Sequence, residues 1–325
     1  MVQAAAARSR MTYRRVDVQP IAYQAGSYLC PTVIGTHVTR IGFIGTENSH
    51  TDHFIRFLNA ESRHPGFTAS ALAGGRNPRN QDLAAADDLE IVEEPEDLIG
   101  TVDAAIISTR DGARHREQAE PLLRTGMPVL VDKPLATTVA DAQEIIATSQ
   151  ESGAVLLSCS ALRFLPQITE LSEGGARSLR QLTVIGPADP DSPYSGLFFY
   201  GIHHVEAALE ILGNPTVEPG SVAVNVTRNG DTTVAHTVIA GVAVTFTFVV
   251  PAENTKVPFY AVATRTDSVT ARELVLGRDY NAPSVARFVD AISAGRSSMT
   301  AAELLSPVVV LSAIVDAVEG GGNAV

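Results

Sequence analysis

Thr39-Arg40-Ile41-Gly42-Phe43-Ile44-Gly45-Thr46-Glu47-Asn48-Ser49-His50 runs from a short apolar stretch, through a polar turn, into a helical pattern carrying Phe54, Phe57 and Leu58. A run this short and this apolar reads as a buried parallel strand, since a strand covered on both faces need not alternate. Asn48 or Ser49 supplies the N-cap of the helix. Further on, Thr68 to Ala73, Val102 to Ser108 and Pro128 to Val131 read as strands of the same kind. Helices fit between them. Gly112 to Thr125 is helical in pattern, with Gly126 as its stop and Pro121 expected to kink or restart it. Thr138, with Asp141 three residues later, opens a helix that ends at Gly153.

Strand–helix alternation with short connections gives a doubly wound parallel sheet with right-handed crossovers. After Ser158 the pattern changes. Helices are expected at Leu165–Glu173 and Ile202–Leu212, then strands at Ser221–Thr227, Thr232–Ile239 and Val242–Val250, with Asn229-Gly230 as a hairpin signal. Val257–Thr264 and Glu273–Leu276 are candidate further strands, and helices at Pro283–Ile292 and Ala301–Val318 close the chain. The expected fold is α/β: an N-terminal Rossmann-type doubly wound sheet plus a C-terminal α+β domain with a large, mostly antiparallel sheet. The expected divisions are residues 1–38 as an N-terminal extension, 39–158 as a dinucleotide-binding-type domain, and 159–325 as a substrate and oligomerisation domain.

Composition narrows the function classes. The chain has 325 residues, 45% of them hydrophobic, which allows two sizeable cores. A net charge of -12 argues against nucleic acid or an anionic membrane, since both demand a basic footprint. Cys30 and Cys159 are too few for a disulfide framework and read as small hydrophobes, so a cytoplasmic setting is expected. The longest apolar run recognised, Val238 to Val250, is interrupted by Gly241, Thr245 and Thr247 and reads as strand rather than as a membrane span.

The chemistry gathers where strands end. In a dinucleotide fold the first turn reads Gly-x-Gly-x-x-Gly, so that backbone can approach a pyrophosphate at the helix N-terminus. Here Gly45 is kept, Glu47 stands at the second glycine and His50 at the third. The hydroxyls of Thr46 and Ser49 remain able to hold a phosphate. The second strand ends Ala73-Gly74-Gly75-Arg76, without the acid that binds the ribose of NAD and with an Arg suited to a 2′-phosphate, a tilt toward NADP. At Val131-Asp132-Lys133-Pro134 a Lys stands at the carboxyl end of a central strand, where open α/β sheets bind ligands. Pro134 holds Lys133 extended and makes a cis peptide possible. Such a Lys can stabilise an alkoxide or relay a proton. In Gly201-Ile202-His203-His204-Val205-Glu206, His203 and Glu206 share one helix face at the start of the helix, and His203 is a candidate acid/base. Arg163 is a candidate partner for an anionic or hydroxyl-rich substrate. His50, Asp52 and His53 meeting His203, His204 and Glu206 would suit zinc, but the two groups lie in different halves, and no metal is assigned.

These residues resemble the family of glucose–fructose oxidoreductase, inositol dehydrogenase and MocA-type proteins. The likeness covers most of the chain from about Val38. It is most specific from Val102 through Ser108, Thr109 and His115, then at Gly126 and at Val131-Asp132-Lys133-Pro134-Leu135-Ala136. Gly201-Ile202-His203 with Glu206 looks like the family's Gly-x-His-x-x-Asp segment, and Arg163-Phe164 like its Arg-Phe.

The resemblance implies NAD(P)-dependent oxidation or reduction of a sugar, polyol or small cyclic hydroxy/keto compound. Lys133 would polarise the oxygen and His203 would act as acid/base. Gly45, Thr46, Asn48, Ser49, His50, Arg76, Ser108, Thr109, His115, Asp132 and Lys133 would hold the cofactor, and Arg163, Tyr200, His204 and Glu206 the substrate. It also implies homodimers or homotetramers through the C-terminal sheet. One departure stands in the site itself. Phe199 occupies the position, four before His203, where many members carry Asp, leaving Tyr200 or Glu206 as replacements. The degraded turn also keeps open a lyase or epimerase, or a cofactor-free binding subunit.

Overall fold

A computed structural model of the chain describes residues 38–320. The expected extension therefore lies, apart from Val38, outside the described residues, as does Cys30. The first sheet contains β1 (Thr39–Ile44), β2 (Phe67–Ala73), β3 (Glu90–Val92), β4 (Ala104–Ile107), β5 (Val129–Val131) and β6 (Leu156–Leu157). Its order is β3-β2-β1-β4-β5-β6, and every pairing is parallel. The chain reverses its direction of winding between β1 and β4, so the crevice at their carboxyl ends is the natural ligand position.

The helices alternate with these strands: α1 (Ser49–Ile55), α2 (Pro78–Asp87), α3 (His115–Arg124) and α4 (Val139–Ser152). Asn48 is the N-cap of α1, accepting from the His50 amide, and α1 runs on into a π-helical turn over Arg56–Ala60. Pro121 neither breaks nor restarts α3, which continues through it. All four residues of β4 are fully buried, Ala104 and Ala105 leaving room for close packing.

The second layer is built from α5 (Pro166–Ser172), β7 (Leu179–Pro187), α6 (Gly201–Ile211), β8 (Asn225–Asn229), β9 (Thr232–Ile239), β10 (Val242–Val249), β11 (Tyr260–Arg265), β12 (Val269–Glu273), α7 (Ala282–Ala294) and α8 (Ala301–Glu319). The sheet order is β12-β11-β7-β10-β9-β8. Every pairing is antiparallel except β7 with β10, which is parallel. β7, absent from the expected set, lies inside the sheet, and the last strand, β12, ends at Glu273, where the expected one begins. The hairpin turn at Gly230-Asp231 joins β8 and β9, with Asn229 opposite Thr232, but β8 starts at Asn225 rather than Ser221.

One face of this sheet, with Val244, Phe246 and Phe248, is buried. Along the other, Ala271, Val262, Thr183, Thr245, His236 and Asn225 stand in register across all six strands. No Asp, Glu, Lys or Arg interrupts that row. α6 is buried on every side, as a helix sandwiched between layers must be.

α8 corrects the expectation about apolar runs. It has 19 residues, 18 of them in a stretch with a mean hydropathy of 1.9, long and apolar enough to cross a membrane by length and composition. Ser306, Pro307 and Ser312 break up its run on paper. In the fold its buried residues Leu304, Val308 to Leu311 and Ile314 belong to a helix that packs on α4, α6 and β8.

Candidate active site

A cavity of about 350 Å³ opens at the carboxyl edge of the parallel sheet, with Asn48, His50, Thr109, Lys133, Tyr200 and His203 among its walls. Lys133 stands two residues past the end of β5, its peptide to Pro134 is cis, and its side chain is buried. The Nζ donates to the Phe199 carbonyl at 3.1 Å and lies 5.1 Å from the centre of the Phe199 ring and 5.6 Å from that of Tyr200. Burial lowers the lysine pKa, with the Arg110 charge adding to the effect and Asp132 and Glu206 opposing it. The position that lacks the expected Asp thus supplies its main-chain oxygen and its ring to the lysine.

Asp132 points to His50, whose Nδ1 is 2.7 Å from Oδ2. Burial pushes the Asp132 carboxyl up, but the attraction of His50 and Lys133 outweighs it and holds the group below its ordinary range. His115 is fully buried away from the cavity. Its ring nitrogens lie 2.7 Å from the Pro134 carbonyl and 2.9 Å from the Thr109 carbonyl. It therefore ties the loop after β4 to the Lys133–Pro134 segment.

His203 enters from the first turn of α6. Its Nδ1 lies 2.6 Å from the Ser160 hydroxyl, which leaves Nε2 for the cavity. Burial, reinforced by the Lys133 charge, holds this imidazole well below its ordinary pKa, so it is neutral at neutral pH. Ser160 is itself fixed. Its hydroxyl accepts from the Leu162 amide at 3.1 Å, and its own amide donates to Glu206 at 2.7 Å. Glu206 is paired with Arg163 at 3.2 Å, and Arg163 reaches on to Glu210 at 3.0 Å and Asn214 at 2.6 Å. Arg163 and Glu206, expected at the substrate, instead form a buried ion pair behind His203. Two charges taken out of water hold each other, which fixes the amide of Ser160. His204 also lies outside the cavity, its ring against Phe248 and Phe259, and burial pushes its pKa down to about 4.

The first turn departs from a glycine fingerprint in a definite way. Gly45 has φ +79°, and a Cβ there would come within 2.2 Å of the Thr109 amide nitrogen, so this turn rests directly on the loop after β4 and only glycine fits. The Glu47 carboxylate accepts from the Arg110 amide at 2.8 Å. Asn48 accepts from the His50 amide at 2.7 Å and donates to the Ser108 carbonyl. Thr46 is bonded to Asn80 at 2.5 Å, and Ser108 to the Gly45 carbonyl at 2.7 Å. Thr46 and Ser108 are thus spent on holding the turn, while Asn48, Ser49, His50 and Thr109 line the cavity. Arg76 is exposed on the loop after β2 and is not among the lining residues. Arg79, which was not singled out from sequence, donates to the Thr46 carbonyl at 3.1 Å and pairs with Asp52. The turn has exchanged glycines for a side-chain clasp with a guanidinium laid against it. These residues fit the nicotinamide end of a dinucleotide, with a modified phosphate turn.

Three contributors were silent in the sequence: Ser160, the Phe199 carbonyl and Tyr280, whose ring stands edge-on to His50 and His53. The residues weighed for zinc are separately partnered: His50 by Asp132, Asp52 by Arg79, Glu206 by Arg163. Among the described residues no group of three or more His, Cys, Asp or Glu could hold a metal ion. Cys159 is buried, and burial pushes its thiol up to about 12, so no reactive thiolate forms there.

Known proteins share the fold of this chain. Residues 39–159 match the family model described as an oxidoreductase family with an NAD-binding Rossmann fold. Inositol 2-dehydrogenase 1 of Saccharopolyspora erythraea is 32% identical over 126 residues, covering 38% of this chain and 37% of that protein. The match thus spans well under half the length of that relative. Among solved structures, GenD2 from gentamicin A biosynthesis, in complex with NAD, superposes with a TM-score of 0.71 at 18% identity over 90% of this chain and 98% of that one. KijD10, a 3-ketoreductase from Actinomadura kijaniata solved with NADP and TDP-benzene, gives 0.67 at 20% identity over 88% and 98%. At such identities the likeness is one of fold.

Proposed function

We propose, from the premise that this chain belongs to the glucose–fructose oxidoreductase, inositol dehydrogenase and MocA oxidoreductase family, that it is an NAD(P)-dependent oxidoreductase acting on a sugar-like, polyol or small cyclic hydroxy/keto substrate. Lys133 and His203 reach one cavity from two separate elements, and this convergence carries the reading. When bound, the nicotinamide accepts or supplies the hydride. The chain's own residues manage the proton and the oxygen. In the oxidative direction the neutral His203 takes the hydroxyl proton at Nε2 while Ser160 holds Nδ1. Lys133, steadied by the Phe199 carbonyl, stabilises the oxygen as its charge grows. In reduction the same groups run in reverse.

Asn48, Ser49, His50 and Thr109 are the proposed cofactor contacts near the ring, with Gly45 fixing the turn. The absence of an acid after β2, together with Arg76 and Arg79 at that end, favours NADP over NAD. The outer face of the second sheet is the proposed interface of a homodimer or homotetramer, since its row of Ala271, Val262, Thr183, Thr245, His236 and Asn225, free of Asp, Glu, Lys and Arg, suits another copy of itself. The clasp of Glu47 and Asn48 over the turn favours one second reading, a non-redox member that binds a metabolite without turning over cofactor.

Titration of the purified chain with NADPH and NADH, followed by nicotinamide fluorescence, separates the two. Saturable binding, tighter for NADPH, is expected. Binding of neither would overturn the redox reading, and tighter binding of NADH would overturn the NADP assignment.

A further inference from the structure

A second cavity, about 940 Å³, lies beside the site and shares Phe199, Tyr200, Phe259 and Leu276 with its walls. It is formed where strands of the second sheet end, by Pro187 at the end of β7, Pro251 after β10 and the segments flanking β11 and β12. Its lining is mostly apolar. Tyr200, Val275 and Leu276 are 40%, 54% and 41% exposed, so large apolar side chains are left in water around a concave surface. A mostly apolar cleft with a few polar groups is the usual make-up of a small-molecule pocket.

The first cavity holds the reacting groups Lys133 and His203. The second begins on the far side of the same aromatic walls that face Lys133. Its charged residues are Asp189, Glu273 and Lys256, an excess of negative charge that disfavours a diphosphate. Anything joined to the reacting ring and leaving the site past Tyr200 enters this apolar space.

We propose that the second cavity binds an uncharged apolar substituent on the substrate, so that the ring oxidised or reduced at Lys133 and His203 carries an aryl or alkyl group and is neither a free cyclitol nor a nucleotide-linked sugar. The assignment of the reacting end rests on the function proposed above; the cavity and its preference do not require turnover.

Binding therefore tests it. Calorimetric titration of the full chain with paired methyl and phenyl glycosides of glucose, galactose and mannose is the first arm, with Val275→Asp and Val257→Asp as the second. At least one phenyl glycoside should bind ten-fold or more tightly than its methyl partner, and either substitution should remove that advantage while leaving methyl glycoside affinity unchanged. Equal affinities within every pair, including no binding of any member, would overturn the proposal. So would a Val275→Asp chain that keeps the phenyl preference but changes its sedimentation, since another copy of the chain would then be what covers the cavity. Loss of nicotinamide binding would count against the redox reading alone.

Discussion

The turn after β1 and the Lys133–His203 pair occupy the same carboxyl edge of the parallel sheet, yet they are held in different ways. At the turn, side chains have replaced glycines: Glu47 sits on the Arg110 amide and Asn48 on the Ser108 carbonyl, all near the surface. At the other end the reacting groups are buried, and each is fixed from behind by atoms that do no chemistry. The Phe199 carbonyl holds Lys133, and Ser160, backed by the buried Arg163–Glu206 pair, holds His203. A motif can therefore erode where backbone only has to cradle a ligand. Where two side chains must meet one atom, the fold over-determines their positions.

Four substitutions would break or sharpen that contrast. Lys133→Ala should lower kcat/KM by about a thousand-fold or more while nicotinamide affinity changes far less, since an oxygen-stabilising donor acts mainly in the transition state. Arg163→Met should leave Glu206 buried without its partner and cost about 3 kcal/mol of stability, read from urea denaturation. Ser160→Ala should lower kcat by roughly ten-fold with KM little changed, because it frees the His203 ring without touching the substrate. Unchanged kcat there would show that the ring is held by packing alone. Glu47→Gly should tighten cofactor binding only a few-fold, by removing a negative charge from the turn at the expense of the Arg110 contact.

A pH series probes the same buried end. His203 and His204 have depressed pKa values, that of His204 about 4, while in the unfolded chain both titrate near 6.5. Between those values the unfolded chain binds more protons. Stability should therefore be full above about pH 6.5 and decline as the pH falls toward 4. Urea midpoints that stay level between pH 7 and pH 5 would contradict this.

Much of this was legible in the sequence, for local reasons. β1, β9, β10 and α8 carry their own periodicity, and Asn48, Thr138 and Gly153 mark helix ends where they were expected. β7 was not legible. Arg180 and Gln181 spoil its alternation, and its parallel partner β10 lies some sixty residues away, so no local pattern announces the pairing. α2 buries only Asn80 and Leu83, too few for an apolar stripe. In the site, Lys133 and His203 could be found because their chemistry is in their side chains. The support for Lys133 could not, because it comes from a main-chain carbonyl that any residue at 199 would carry. Arg163 reads as a partner for an anionic or hydroxyl-rich substrate, and Glu206 as sharing the cleft-facing side of its helix with His203; only the packing shows that each satisfies the other.

The central claim is that Lys133 and His203 serve one reacting oxygen. Its most direct test is a double-mutant cycle of Lys133→Ala, His203→Ala and the pair, measured as kcat/KM for hydride transfer from saturating NADPH to a keto-ring substrate. Residues acting on one oxygen should be non-additive, the double variant falling little further than the worse single one. Fully additive losses would contradict it, and the two groups would then belong to separate events.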